Sequence, residues 1–249
     1  MFDELAAWLP TAGADVVCLQ EVTRSGAHGW TRFDDAERSL TQRGDLYDDV
    51  AALLPGHRGF FAASDAGPVT DGAGVRHRQE FGIAAFVAPG VTVLGDGAAF
   101  VHGAFTEHDE WPAGHRPRVA HALRLRADGR VVTVVHLHGL RDPAGKGDTP
   151  ARAAQAARLA GLVTRTRGED DLVVVAGDLN LLPDSSTFAT LHEIGLTDLV
   201  GSADTRTARY RKPVRHASYL LVSDAAAVRG FTIVGAPEVS DHRALLLEV

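Results

Sequence analysis

Short apolar runs alternate with polar, turn-rich stretches along most of the chain. Runs of about four to eight apolar residues bounded by Gly, Pro or Asp are typical of β-strands. One of them, residues 172–175, is wholly apolar, which predicts a strand buried on both faces. The predicted strands are 14–20, 82–87, 91–94, 119–125, 131–135, 171–176, 218–223 and 244–249.

Signals for helices are fewer than signals for strands. Residues 150–164 are rich in Ala, with Thr149 placed as an N-terminal cap, and this predicts a helix. Apolar residues at helical spacing predict a second helix over 46–54, whereas residues 64–78, rich in Gly, Asp and Arg, predict a surface loop. Because strands outnumber helices, we expect an α/β (α+β) sandwich with two mostly antiparallel sheets.

Composition places the chain among globular proteins and narrows its partners. Its 249 residues are 45% hydrophobic and 23% charged, which excludes a disordered chain and favours one domain spanning residues 1–249. The formal net charge of −7 argues against binding nucleic acid through bulk charge, but it does not exclude a local basic groove. A single cysteine, Cys18, with no signal peptide and no long apolar run, predicts a cytoplasmic protein without membrane contact.

The ends of the predicted strands carry the candidate chemistry. Strand ends that share a sheet edge can converge on one site, and here they offer carboxylates, a carboxamide and imidazoles without thiolates. That ligand set matches Mg²⁺ or Mn²⁺ better than a structural zinc ion, and the natural substrate of such a metal is a phosphate ester. The alternatives are solvated strand-end charges, turn-capping Asp and Asn side chains, and packed core histidines. The residues concerned are Glu21, His136, His138, Asp178, Asn180, Asp241 and His242.

Four short motifs occur in a fixed order at these strand ends. Together they resemble the motifs of the endonuclease/exonuclease/phosphatase superfamily, which includes pancreatic-type deoxyribonucleases, apurinic-site endonucleases, sphingomyelinases and inositol polyphosphate 5-phosphatases. The resemblance runs from about residue 14 to the C-terminus, and it implies a four-layered α/β/β/α sandwich with divalent-metal-dependent phosphoesterase activity. The motifs are Leu19-Gln20-Glu21, His136-Leu137, Gly177-Asp178-Leu179-Asn180 and Ser240-Asp241-His242.

The resemblance also implies a role for each motif residue. Glu21 corresponds to the glutamate that binds Mg²⁺, and Asp241 resembles a second carboxylate on the metal side. Asp178 is similar to the aspartate that orients or deprotonates the attacking water, and Asn180 to the amide that positions the same site. His242 resembles the imidazole that contacts the phosphate or the nucleophile.

The histidine that stabilises the charge of the transition state has two candidates. His136 is favoured because a leucine follows it, as in the family motif, and His138 is kept as a second contact because strand side chains repeat every second residue. Further substrate contacts are expected from Arg78 and from the loop that carries Lys146 and Arg152, since a helix start and basic side chains favour phosphate. The alternative for this loop is a solvated connection.

Two departures from the family pattern stand out. Family members normally begin with a strand that carries an Asn shortly before the Glu-bearing strand, and this chain starts at Met1 without room for it. Either the start is misassigned or trimmed, or the site works without that amide. Ser218 stands where the family has an Asp that orients the imidazole of His242, so we expect a weaker general base and more dependence on the metal and Asp178.

These expectations favour a metal-dependent phosphoesterase that directs an activated water in line onto phosphorus. Its substrate would be a nucleic acid, a nucleotide or a small phosphorylated molecule. The alternative, motivated by Ser218 and the missing first strand, is an inactive relative that binds a phosphorylated ligand or a partner protein. The intact motif residues oppose that alternative, because decay of an active site usually removes its metal ligands as well.

Overall fold

The computed structural model describes residues 1–249 and contains fourteen β-strands and four α-helices. The strands are β1 (Val16–Ser25), β2 (Trp30–Asp34), β3 (Ser39–Arg43), β4 (Arg58–Asp71), β5 (Arg76–Val87), β6 (Thr92–His102), β7 (Thr106–Glu107), β8 (Arg118–Ala127), β9 (Arg130–His138), β10 (Leu172–Asp178), β11 (Thr197–Asp198), β12 (Ser218–Val222), β13 (Gly230–Ile233) and β14 (Leu245–Glu248). The helices are α1 (Phe2–Trp8), α2 (Leu46–Leu53), α3 (Pro150–Thr166) and α4 (Ser186–His192). The predicted α+β class is confirmed.

Two large sheets contain most of the strands, and their pairing is mostly antiparallel, as predicted. The first sheet has the order β1-β5-β4-β2-β3, with β7 paired to β4, so that β1 forms one edge. The second sheet has the order β11-β12-β10-β9-β8-β6, in which β9 and β10 pair in parallel. The hairpin of β13 and β14 forms a separate two-stranded sheet.

The inner faces of the two large sheets pack against each other. Phe60 of β4 and Val87 of β5 share one buried cluster with Leu123 and Leu125 of β8. Because strand side chains alternate between faces, the neighbouring Ala122 of β8 joins the cluster on the opposite side of the sheet. Burial of each large apolar side chain contributes about 1.5–3 kcal/mol to folding. This shared core holds the two sheets together.

Helices cover the outer face of each large sheet. On the second sheet, α3 packs through Leu159 and Val163 against Val175 of β10. On the first sheet, α2 packs through Val50 against Phe86 of β5. The layers therefore run helix, sheet, sheet, helix, and the predicted four-layered α/β/β/α sandwich is confirmed. None of the helices is both long and apolar enough to span a membrane.

The predicted surface loop over residues 64–78 is wrong. Those residues complete β4 and begin β5, and only residues 72–75 make the turn between them. Their polar side chains are compatible with a strand because they have partners: Asp65, fully buried, accepts two hydrogen bonds from Arg116 at 2.7 and 2.9 Å. Gly67 leaves room for the ring of Trp111, whose Cε2 would lie 2.7 Å from a Cβ at that position. β2 and β3, in the preceding polar stretch, also escaped prediction.

Candidate active site

Three adjacent strands of the second sheet bring polar residues into a row at one edge. β9 and β10 run in parallel, so His138 and Asp178 are register partners at their C-terminal ends. β12 runs antiparallel to β10 and begins with Ser218 opposite Asp178. The backbones of β9 and β10 approach so closely here that a Cβ on Gly177 would collide with the Leu137 carbonyl oxygen. The glycine before Asp178 therefore allows the two parallel strand ends to stay paired up to the site.

The carboxylate of Asp178 lies at the centre of this row and is buried. Its Oδ1 accepts the backbone N–H of Asn180 at 2.9 Å, which fixes the orientation of the carboxylate. Its Oδ2 lies 3.3 Å from His242 Nε2, 3.8 Å from Arg206 Nη2 and 3.9 Å from His138 Nε2. One carboxylate oxygen is thus held by the backbone, and the other faces three nitrogen-bearing side chains.

Neighbouring positive charges keep Asp178 ionised. Burial alone would raise the pKa of Asp178, but the surrounding positive charge, with His242 first, holds that pKa below its ordinary value. Burial lowers the pKa of His138 well below its usual range, so this imidazole is neutral at pH 7. Lys146 also acts electrostatically on Asp178; its Nζ donates to the His216 carbonyl, and burial lowers its pKa to about 8.

His242 is held on both ring nitrogens. Its Nδ1 lies 2.7 Å from Ser218 Oγ, and its Nε2 is in contact with Arg206 Nη1, which also donates to Asp241 Oδ2 at 2.7 Å. The ring of His242 is thus fixed between a hydroxyl on one side and a guanidinium on the other. Arg206 is itself buried and stacks on Tyr210, with 4.1 Å between its Cζ and the ring centroid.

Glu21 belongs to the first sheet and faces the same region from the other side. It lies at a β-bulge of β1, between Gln20 and Val22, with a φ of +56°. The bulge changes the direction of its side chain, which is exposed and makes no hydrogen bond or ion pair. Glu21 lines a cavity together with His138 and Arg118, so both sheets contribute to this part of the site.

Asn180 and His136 have buried positions. Asn180 has a φ of +55°, and its side-chain amide donates to the Gly139 carbonyl at 3.4 Å, which ties the turn after β10 to the end of β9. His136 is fully buried, with its Nε2 3.4 Å from His121 Nδ1, and burial together with His121 lowers the pKa of His136 to about 3. The histidine beside Asp178 is His138, because the register of β9 and β10 pairs His138 with Asp178 and His136 with Ala176.

Two predicted substrate contacts have other partners in the structure. Arg78 is exposed and pairs with Glu107 at 2.6 Å, and it neither contacts Asp178 nor lines the cavity. Arg152 is buried, and its guanidinium donates to backbone carbonyls of the preceding loop, including that of Gly145 at 2.7 Å. Arg152 therefore shapes the loop that presents Lys146 to the site.

The side chains of the site offer few free ligands for a divalent cation. Residues 1–249 contain no cluster of three or more His, Cys, Asp or Glu side chains at metal-binding distances. Mg²⁺ does not require such a cage, since it is commonly bound by one or two carboxylates together with substrate phosphate and water. The unpaired carboxylate of Glu21 fits that arrangement, whereas Oδ2 of Asp241 already binds Arg206.

Two arginines of this region were not among the site residues predicted from the sequence. Arg206 is 5% exposed and contacts Asp241 and His242, and Arg118 is 7% exposed beside Glu21. Neither arginine belongs to one of the four motifs or follows an apolar strand. The tertiary fold alone brings them to the site, so no sequence signal identifies them.

The fold and the site together define a class: a four-layered sandwich with a buried carboxylate at a strand end and cationic side chains from the neighbouring loops. The chain belongs to the Endonuclease/Exonuclease/phosphatase family, whose sequence model matches residues 2–242. Proteins of this family hydrolyse phosphoesters and generally use divalent metal ions. No curated protein matches the chain in sequence.

Solved structures share the fold at low sequence identity. An endonuclease/exonuclease/phosphatase from Bacteroides vulgatus has a TM-score of 0.67 and 19% identity, over 99% of this chain and 90% of that one. A mannosyl-6-phosphatase from Bacteroides thetaiotaomicron has a TM-score of 0.64 and 13% identity, over 98% and 88%. TDP2 of D. rerio, complexed with a single-strand DNA product, has a TM-score of 0.61 and 16% identity, over 98% and 88%.

Proposed function

We propose that the chain is a divalent-metal-dependent phosphoesterase in which Asp178 orients the attacking water. The observation that carries this proposal is the environment of Asp178, a buried carboxylate whose pKa stays below its ordinary value because positive charge surrounds it. An ionised carboxylate at the end of a rigid strand can hold a water molecule for in-line attack on phosphorus. Membership of a family of phosphoester hydrolases supports this assignment.

The two oxygens of Asp178 have different tasks in this proposal. Oδ1 accepts the backbone N–H of Asn180, and this hydrogen bond fixes the carboxylate plane. Oδ2 is directed toward His138 and His242 and accepts a hydrogen bond from the attacking water. Asp178 accepts the proton of the water, and His242, whose Nε2 lies 3.3 Å from Oδ2, orients the phosphate or the water.

Charge that develops on the phosphate is stabilised by fixed cations. The Arg206 guanidinium and the Lys146 ammonium both act electrostatically on Asp178, and both belong to buried or half-buried side chains. Cations that are already oriented in a poorly hydrated site stabilise transition-state charge more than solvated ones do. Glu21 would bind the divalent ion, and that ion would supply further neutralisation of the phosphate charge.

The proposal is tested by hydrolysis of two model esters, bis(p-nitrophenyl) phosphate and p-nitrophenyl phosphate, with Mg²⁺, Mn²⁺ or EDTA. The first compound tests for diesterase activity and the second for monoesterase activity. Both cases are relevant, because the structural relatives include a TDP2 with a bound single-strand DNA product and a mannosyl-6-phosphatase. We expect metal-dependent turnover that falls by roughly a hundredfold or more in Asp178→Asn. Asp170→Asn, an exposed aspartate without hydrogen bonds, is the control. Equal rates in the two variants would reject the role of Asp178.

A second function is a relative that binds a phosphorylated ligand without hydrolysing it. The observation that favours it is Arg206, which engages Asp241 and His242 at once, beside a Ser218 that supplies no charge. In that case neither model ester turns over with any metal, while phosphorylated ligands still bind. Metal-dependent turnover of either ester excludes this alternative.

A further inference from the structure

A cavity of about 110 Å³ opens beside the candidate active site and shares Glu21 and His138 with it. Glu21 is the single acidic residue of its lining, although the whole chain carries a formal net charge of −7. The lining of the cavity is therefore locally basic in a chain that is acidic as a whole. The basic residues of the lining are Arg38, His115, Arg116, Arg118, His138 and Arg141.

Two of these arginines are neutralised by carboxylates and build the cavity wall. Arg38 Nε binds Asp35 at 2.9 Å. Arg116 makes a bidentate pair with the buried Asp65, and its guanidinium lies 4.1 Å from the ring centroid of Phe81. Paired and stacked guanidinium groups of this kind are part of the framework and are not free to bind a ligand.

The other two arginines have no partner in the protein. Arg118 is 7% exposed, makes no hydrogen bond or ion pair, and its Nε is fully buried without a partner. Arg141 is exposed at the cavity and also makes no hydrogen bond or ion pair. A buried, unpaired charge is costly, and here burial together with Arg116 lowers the pKa of Arg118 to about 10. Arg118 nevertheless stays charged at neutral pH, so it is an unsatisfied cation that faces a cavity.

We propose that Arg118 and Arg141 bind a second anionic group of the substrate, a phosphate next to the one that is hydrolysed. The inference rests on the proposed phosphoesterase function, because Glu21 and His138 belong to both the cavity and the site. Guanidinium groups match the geometry of phosphate oxygens, and both arginines line the cavity that contains Glu21 and His138. The substrate class is therefore a molecule with at least two phosphates, either a nucleotide or a sugar phosphate.

Calorimetric titration in EDTA measures this subsite without turnover. The nucleotide pair is thymidine 3′,5′-bisphosphate and thymidine 5′-monophosphate, and the sugar pair is fructose 1,6-bisphosphate and fructose 6-phosphate. We expect at least one bisphosphate to bind about tenfold or more tightly than its monophosphate, since a hydrogen bond to a charged group contributes strongly when it is desolvated. The pair with the larger difference identifies the nucleotide or the sugar source.

Arg118→Gln and Arg141→Gln should each remove most of the advantage of the bisphosphate. Arg126→Gln is the matched control, because Arg126 lies on the same strand β8, is exposed and makes no ion pair. Arg118→Gln removes a buried unpaired charge, so its Tm should equal or exceed that of the wild type. Arg141 is exposed, so its variant folds and tests the subsite even where the change at Arg118 disturbs the core.

Two results would overturn the subsite. One is equal affinity of bisphosphate and monophosphate in both pairs, and the other is an advantage that Arg118→Gln and Arg141→Gln leave unchanged. Because binding is measured in EDTA, these results are independent of the hydrolysis assay with Asp178→Asn. Failure of the subsite and failure of the proposed function are therefore distinguished.

Discussion

Ser218 determines how firmly His242 is held in the site. Its Oγ is hydrogen-bonded to His242 Nδ1 at 2.7 Å, but a hydroxyl supplies no charge to the imidazole. We expect Ser218→Asp to raise kcat/KM for the better model ester by about tenfold, because a carboxylate orients the ring more strongly. Ser218→Ala, which removes this hydrogen bond, should lower the same constant. If neither change alters kcat/KM, another group already orients His242.

Lys146 gives the site a specific pH dependence. Burial lowers the pKa of this lysine to about 8, so its positive charge is present at neutral pH and is lost as the pH rises through 8. We expect kcat/KM for an anionic ester to fall above pH 8 by about tenfold, because an ammonium that stabilises phosphate charge becomes neutral. Lys146→Arg should remove this fall, since arginine stays protonated. A pH profile of kcat/KM for each variant measures the effect.

The control for Lys146 is the other lysine of the chain. Lys212 is exposed, and Lys212→Arg should leave the fall near pH 8 in place. If Lys146→Arg shows the same fall as the wild type and Lys212→Arg, the titrating group is not Lys146.

Residue identities predict one part of this site and leave another part undetermined. The sequence predicts Asp178, Ser218 and His242 as parts of one site. In the fold, His242 lies within hydrogen-bond distance of Ser218 and within ion-pair distance of Asp178. His138, rather than the favoured His136, lies beside Asp178 because the register of β9 and β10 pairs His138 with Asp178, and that register cannot be read from the apolar run. Arg206 could not be predicted, because its partners are set by the packing of distant loops and not by local spacing.

At the scale of the elements, the junction between β9 and β10 is the most constrained. Gly177 has a φ of +141°, and a Cβ at this position would collide with the Leu137 carbonyl oxygen. Gly177→Ala should therefore lower the free energy of unfolding by roughly 3 kcal/mol, from backbone strain and overpacking combined. It should also reduce activity, since Asp178 follows directly. Urea unfolding and ester hydrolysis measure the two effects.

Gly90→Ala is the matched change for Gly177→Ala. Gly90 lies in the turn before β6, has no atoms near the position of a Cβ, and has no positive φ. Gly90→Ala should leave the free energy of unfolding and the activity close to those of the wild type. Equal stabilities of the two variants would show that the strand junction tolerates a side chain.

Periodicity predicts apolar strands better than polar ones. The strands around residues 172–175 and 82–87 were found because their side chains are buried on both faces. The hairpin of β4 and β5 was missed because its residues 64–78 are polar, and their partners come from other parts of the chain. Composition alone cannot distinguish a solvated loop from a strand whose polar groups are paired in the fold.

At the scale of the whole molecule, the two sheets share one core, and this supports our proposal that residues 1–249 fold as a single domain. Leu123 of β8 is fully buried against Phe60 of β4, so it belongs to the core of both sheets. Leu123→Ala should lower the free energy of unfolding by about 2–5 kcal/mol through lost burial and a cavity. For a domain of this size that corresponds to a fall in Tm of roughly 10 °C.

The single-domain proposal is tested by the number of unfolding transitions in Leu123→Ala as well as by the shift in Tm. All three tryptophans lie before residue 112, in or beside the first sheet, so their fluorescence reports on that sheet, whereas far-UV circular dichroism reports on both sheets. In Leu123→Ala, both signals should shift together, since a residue of the second sheet stabilises the first. Leu40→Ala, at a leucine that is 42% exposed on β3, should change Tm little. Separate transitions, with the fluorescence unchanged by Leu123→Ala, would show that the two sheets unfold independently and would reject the single domain.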